Sequence, residues 1–373
     1  MIPGVEMEQD VFHSDLSAMW AVLRLAGLLP VSLPLALYSG LLYAGLLSLL
    51  WLAYGNYFSS SRYDDMLMAV SYCMYFAILI AVPFTLWRDA SSVMRYLDSW
   101  TRFQVEYKRV TGASLILGLR TRCLALVLLV PCGVVAVEVL VQFGKQCGVQ
   151  LAVGCCNCVV TAIRLLLAAL WHLLSAALRA AEQRLQDSFR EHTEMCLKAD
   201  TVRSFTQLWM ELRQLTAETG QAMCCTFVFY IVYMFTKITF NVYILLVALL
   251  LGQPNNFTYY YSAIVTLADY MILYTMCDQA HHVSRQVTMC FQNELISRGM
   301  SPGNTKTQQE IYLSLRVIQL SDTRIDLGGF VAVNRRLFVS LSVTMVTYLI
   351  VLLQFRLTAD TSGYKDNLIC NSD

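Results

Sequence analysis

SLSVTMVTYLIVLLQF, Ser340 to Phe355, sets Thr347-Tyr348 and Gln354-Phe355 on either side of five uninterrupted apolar residues, Leu349 to Leu353. At a helical period of about 3.6 residues, Ser340, Thr344, Thr347, Val351 and Gln354 share one stripe. Leu341, Val343, Met345, Leu349, Ile350, Leu352 and Leu353 cover most of the remaining surface. The pattern predicts an apolar helix with one polar seam, which can face water or another helix. Directly upstream, IDLGGFVAVNRRLF (Ile325 to Phe338) supplies Gly328-Gly329, which permit a bend or close approach. Arg335-Arg336 can anchor the helix at an inner interface.

The rest of the chain has a composition that fits a lipid environment. Of 373 residues, 57% are hydrophobic and only 14% are charged, and the mean hydropathy is +0.53. That balance predicts an integral membrane protein, all-α, because a lipid-exposed backbone must satisfy its own hydrogen bonds. The formal net charge of +1 is dispersed through loops, which gives no basis for a nucleic-acid partner. MIPGVEMEQDVFHSD lacks a basic segment followed by an apolar core, so the first membrane helix is expected to direct insertion.

A hydrocarbon layer of about 30 Å takes about 20 helical residues. Seven stretches qualify: 34–55, 66–87, 122–143, 151–174, 224–250, 259–277 and 337–355. Connections after the second, fourth and sixth are long and rich in Arg and Lys, whereas the other side receives Arg62, Lys145, Arg356 and Lys365. Positive charge marks the cytoplasmic side, so the N-terminus is expected inside and the C-terminus outside. The sequon Asn256-Phe257-Thr258 falls in a loop this arrangement places outside, making Asn256 a glycosylation candidate.

The inner connections have helical patterning. Leu178, Leu185, Phe189, Met195, Leu197, Phe205, Leu208, Trp209, Leu212 and Leu215 recur at mostly three- to four-residue steps, predicting an amphipathic helix below the membrane. HHVSRQVTMCFQNELISRG continues the sixth span, Ser301-Pro302-Gly303-Asn304 breaks it, and a helix with Ile311, Leu315 and Ile318 on one side restarts. With no internal repeat, linker or soluble domain, residues 1–373 are expected to form one unit with a cytoplasmic helical anchor region.

Thr-Tyr, five apolar residues and Gln-Phe, complete from Thr347 to Phe355, resembles the C-terminal signature of the insect gustatory receptors. The adjoining Gly329-Phe330 and Asn334-Arg335 resemble the Gly-Phe-x-x-x-Asn-Arg stretch by which that family enters its last helix. Outside the C-terminal third the likeness is architectural. The resemblance implies a ligand-gated, non-selective cation channel, usually tetrameric, in the plasma membrane of gustatory neurons. Its partners would be a small-molecule tastant, permeating cations, the lipid bilayer and like or related subunits. No cofactor is implied.

On that analogy Ser340, Thr344, Thr347, Val351 and Gln354 line the pore, with Gln354 at its extracellular constriction. Small polar groups can replace part of an ion's hydration shell, and an apolar level such as Val351 can close by dewetting. The same hydroxyls can instead join helices or bond their own backbone. Tyr348 and Phe355 would pack on neighbouring helices and couple them to the gate, although the opposite roles stay open. Gly328 and Gly329, with Asn334-Arg335-Arg336, read either as the joint between anchor and pore or as ordinary interface residues.

In the family the ligand pocket lies in the outer half of the second to sixth spans. Here that half holds Tyr72, Tyr75, Glu138, Gln142, Asn157, Asn241, Tyr243 and Tyr261. Aromatic walls with few polar groups suit a small organic ligand, yet Tyr259-Tyr260-Tyr261 also reads as an interfacial belt. Glu138, Arg164, Lys237 and Asp269 are intramembrane charges, each expected to face protein or a wet cavity. Arg164 with Asp269 and Lys237 with Glu138 are possible pairings, structural or ligand-binding. Sugar-receptor members commonly carry Glu after Thr-Tyr; Leu349 stands there, which favours a bitter or other non-sugar ligand.

Thirteen cysteines lie mostly in apolar runs and read as small buried hydrophobes. Cys155, Cys156 and Cys158 lack an accompanying His or carboxylate, and one helix cannot aim three sulfurs at one metal. Cys147 and Cys370 are both expected outside, where a bridge is chemically possible. No motif for acyl transfer or metal catalysis surrounds the histidines, so no enzymatic activity is expected. A secondary transporter would carry related halves with broken helices, and a G-protein-coupled receptor the opposite orientation.

Overall fold

Long apolar stretches without breakers become long helices, and the order along the chain follows from that. The computed structural model describes residues 11–28, 33–54, 63–142, 148–195, 198–250, 257–299, 305–321 and 323–370. The helices are α1 (Val11–Asp15), α2 (Ser17–Leu25), α3 (Leu33–Tyr54), α4 (Tyr63–Thr111), α5 (Arg120–Gln142) and α6 (Gly148–Met195). They continue with α7 (Ala199–Ala222), α8 (Cys224–Leu250), α9 (Phe257–Gly299) and α10 (Thr305–Leu320). A two-strand hairpin, β1 (Asp326–Leu327) and β2 (Val331–Ala332), precedes α11 (Arg335–Cys370). Among the described residues, each of the seven apolar stretches lies on a helix. Among the described residues, four segments are long and apolar enough to cross a bilayer: Cys73–Thr111, Cys156–Glu194, Cys224–Leu250 and Arg335–Arg356. The α9 stretch carries Tyr259, Tyr260, Tyr261, Tyr270 and Tyr274, whose polar tips lower its hydropathy.

The described chain divides into two compact units, Met1–Phe229 with Asp278–Val333, and Tyr230–Cys277 with Asn334–Asp373. In the first, the stripe read from the inner connection packs into the core wherever its side chains are described, those of Met195 and Leu197 lying outside the described residues. Leu178, Leu185, Phe189, Phe205, Leu208, Trp209, Leu212 and Leu215 are all buried. The single amphipathic helix expected there is two helices, because the chain breaks near Lys198 and folds α7 back beside α6. Phe189, Phe205 and Phe291 meet edge to face, and Trp209 donates from Nε1 to the Val287 carbonyl at 2.6 Å. Thr206 and Ser314 share a buried hydrogen bond of 2.8 Å that fixes α10 on α7. On α10, Thr307, Ile311, Ser314 and Ile318 are buried, while Leu315 is only half-buried.

Polar groups are matched where helices start and end. Asp89 on α4 is buried, and its Oδ2 accepts from Thr226 N and Thr226 Oγ1 at 2.9 and 2.8 Å, so it caps α8 from across the fold. Tyr96 and Thr219 share a buried 2.8 Å hydrogen bond between α4 and α7. Burial pushes the Tyr96 phenol up to about 12. Glu182 on α6 accepts from Gln286 Nε2 of α9 at 2.8 Å and stays buried. Burial raises its pKa, and burial beside Glu182 pushes the Cys290 thiol up to about 11.

The glycine pair forms the tip of the hairpin. Gly328 and Gly329 have φ of 58° and 76°, and Phe330 N donates to the Leu327 carbonyl at 3.0 Å. Two successive positive φ values are the sign pattern of a type I′ turn, which glycine adopts without steric cost. The hairpin sits close on the α7–α8 junction: a Cβ on Gly220 would lie 2.4 Å from the Asp326 carbonyl oxygen, and one on Gly328 would lie 2.6 Å from Cys224 Sγ.

Candidate functional site

Asn334 closes the hairpin and begins α11, its Oδ1 accepting from Leu337 N at 2.9 Å. This is an N-cap, a role the Asn-Arg-Arg string signals directly, since Asn before a helical run is a favoured cap. The helix then exposes most of its surface within the second unit. Ser340, Thr344, Thr347, Val351 and Gln354 are all exposed, and Val351 is 38% so. Met345 is buried, and Leu341, Ser342, Leu349, Leu352 and Leu353 are partly covered. The polar stripe therefore lies on the side of α11 that its own unit leaves open.

Thr344 Oγ1 donates to the Ser340 carbonyl at 2.9 Å and Thr347 Oγ1 to the Val343 carbonyl at 3.1 Å. Back-bonding holds each hydroxyl in place and leaves its oxygen lone pairs directed outward. Tyr348 meets the Phe235 ring of α8 edge to face with centroids 6.2 Å apart, whereas Phe355 is 70% exposed. At the other end of α11, Phe338 lies between Tyr270 and Tyr274 of α9, with centroids 5.0 and 5.3 Å away. Tyr270 Oη and Ser342 Oγ share a 3.2 Å hydrogen bond. Sequence reading missed these contacts, although the i, i+4 spacing of Tyr270 and Tyr274 marks them as one helix face.

The intramembrane charges resolve in part. Lys237 on α8 pairs with Asp269 on α9, Nζ to Oδ2 at 2.8 Å, with side chains 13% and 1% exposed. That replaces both possible pairings read from the sequence. A charge pair this dry stands only when both partners are present. Arg164 is buried in the first unit, and the Glu138 side chain lies outside the described residues, as do those of Tyr72, Gln142, Cys155 and Cys370. Asn256 and Cys147 lie outside them too. Of the remaining pocket candidates, Tyr75 and Asn157 belong to the first unit and are half-buried. Asn241 and Tyr261, half-buried, and the buried Tyr243 belong to the second.

These features define an all-α, polytopic membrane protein whose last helix displays a polar seam. The sequence profile of the 7tm chemosensory receptors matches residues 16–359, and the chain belongs to that family. It is similar to gustatory and odorant receptor 24 of Anopheles gambiae, 29% identical over 297 residues, 80% of this chain and 64% of that protein. Likeness to gustatory and odorant receptor 22 of the same species is 24%, over 83% of this chain and 66% of that receptor. Receptor 21a of Drosophila melanogaster is 23% identical over 80% of this chain and 65% of its own length. The matches thus span just under two thirds of these relatives. The fold resembles the insect olfactory receptor OR5 of Machilis hrabei solved in complex with eugenol, with a TM-score of 0.52 and 12% identity, over 92% of this chain and 98% of that one.

Proposed function

We propose that this chain is one subunit of a tetrameric ligand-gated cation channel that detects a small organic molecule, a non-sugar tastant or an odorant, at the sensory cell surface. Seven spans, with the basic connections inside and the α11 C-terminus outside, carry the subunit. The observation that supports the channel best is the exposure of Ser340, Thr344, Thr347, Val351 and Gln354 along the face of α11 turned away from its own packing. Four such faces around an axis make a passage lined by hydroxyls, an amide and one apolar ring, suited to weakly selective cation passage.

Ligand preference rests on the residues bordering α8 and α9 and on Leu349, where sugar-receptor members commonly carry a carboxylate. The relatives are gustatory and odorant receptors, and OR5 was solved in complex with eugenol, a small aromatic compound. Within the second unit, Asn241, Tyr243 and Tyr261 are the candidates for such recognition, with stacking and a few hydrogen bonds as its chemistry. The test is whole-cell recording against a panel of bitter compounds, sugars and volatile aromatics, with the chain alone and with co-expressed receptors. Ligand-evoked current whose cation selectivity changes in Gln354→Ala is expected. Currents indifferent to substitution along the whole stripe would remove α11 from the pore.

A further inference from the structure

Polar contacts tie α11 to its own unit on the side opposite the exposed seam. Ser342 Oγ donates to the Phe338 carbonyl at 2.9 Å, which leaves its lone pairs to accept from the Tyr270 hydroxyl. Tyr270 and Tyr274 flank the Phe338 ring, so two residues one turn apart on α9 grip two residues one turn apart on α11. Such a pairing fixes both the rotation of α11 about its axis and its height along α9. Aromatic packing alone tolerates a sliding ring, whereas a directional hydrogen bond between the two hydroxyls favours one setting. The grip has a rigid base: Asp269, next to Tyr270, holds Lys237 of α8 at 2.8 Å. Further along α11, Tyr348 touches Phe235, two residues before Lys237.

We propose that Tyr270 is a positioning residue for gating, its hydrogen bond to Ser342 selecting one rotational setting of the pore helix. This rests on the channel reading of α11. Because Ser342 and the stripe occupy different faces, loss of the bond changes the balance between open and closed states without changing what the pore wall presents to an ion.

The experiment compares Tyr270→Phe, Ser342→Ala and the double variant with the parent chain, all at matched surface expression, by single-channel recording in sodium- and calcium-containing solutions without added ligand. Tyr270→Phe keeps the ring contacts to Phe338. Each single variant is expected to shift open probability by about two- to tenfold, the range of one net hydrogen bond. The double variant should match the singles, since all three lack the same bond. Unit conductance and reversal potential should not move. Additive shifts, altered conductance, or no shift in well-expressed variants would overturn the proposal.

A second arm separates it from the channel reading. Thr344→Cys, alone and with Tyr270→Phe, is treated with a charged methanethiosulfonate reagent and its labelling rate read by peptide mass spectrometry. An altered rate in the Tyr270→Phe background is expected whether or not current flows. If no variant conducts but the rate changes, the channel reading and with it the gating role fail, while the hold of the Tyr270–Ser342 bond on the rotation of α11 stands; an unchanged rate sinks that hold as well.

Discussion

Asn334 shows how a single side chain sets a helix start. Its Oδ1 takes the Leu337 N–H, one of the donors α11 cannot satisfy internally. Asn334→Ala should lower the thermal stability of the detergent-solubilised protein by about 1 kcal/mol, while Asn334→Ser retains most of it. The Lys237–Asp269 pair sets a larger stake. Asp269→Asn leaves the ammonium without its counter-charge in a dry setting and should cost about 3–5 kcal/mol, whereas the joint replacement Lys237→Met, Asp269→Leu should recover much of that loss. Melting curves on purified protein check both, and a double variant worse than either single would contradict the account. The presence of buried charge was legible in the sequence, since Lys and Asp in apolar runs stand out. The partner was not, because pairing depends on the relative rotation of α8 and α9, and one residue of helix phase turns a side chain by about 100°.

At the scale of elements, the stripe from Leu178 to Leu215 was legible because burial on one face imposes its period on the sequence. The break near Lys198 and the hairpin were less so: a two-residue strand leaves almost no periodic signal, and Gly328-Gly329 reads equally as a bend. Gly220 is the price of docking that hairpin on α7. Gly220→Ala places a methyl against the Asp326 carbonyl, which is backbone and cannot swing away. A loss of about 1–3 kcal/mol is expected, with faster proteolysis between α10 and α11. Glu182 carries the pH dependence of the α6–α9 contact. Its native pKa is raised by burial, so at low pH it is protonated in both folded and unfolded chains and costs nothing. As pH rises from the ordinary carboxylate range to the raised value, the unfolded chain ionises while the folded one resists, and stability falls. Glu182→Gln should therefore be more stable than the parent at neutral pH, keep the Gln286 hydrogen bond through its carbonyl oxygen, and lose the decline seen on going up from acidic pH in thermal melts.

On the scale of the whole molecule, the surface of the first unit argues that this chain does not work alone. While Thr307, Ile311, Ser314 and Ile318 bury one side of α10, Leu313, Val317 and Leu320 lie along another and are 53%, 39% and 80% exposed. Phe330 at the hairpin turn is 83% exposed. In the proposed topology this segment lies on the cytoplasmic side, where no lipid tail covers it and an exposed apolar stripe on α10 marks a protein contact. Burying a leucine is worth about 1.5–3 kcal/mol, and in the proposed tetramer a closed ring repeats each contact four times. Leu313→Glu with Leu320→Glu should therefore reduce the tetramer fraction in mild detergent, measured by mass photometry, without loss of helix content by circular dichroism. The substituted positions face outward, so α10 keeps its packing through Ile311 and Ile318 whatever happens to assembly. A doubly charged variant that stays tetrameric would move the subunit contact away from α10, and assembly would then have to rest on the exposed face of α11 or on contacts the lipid shares.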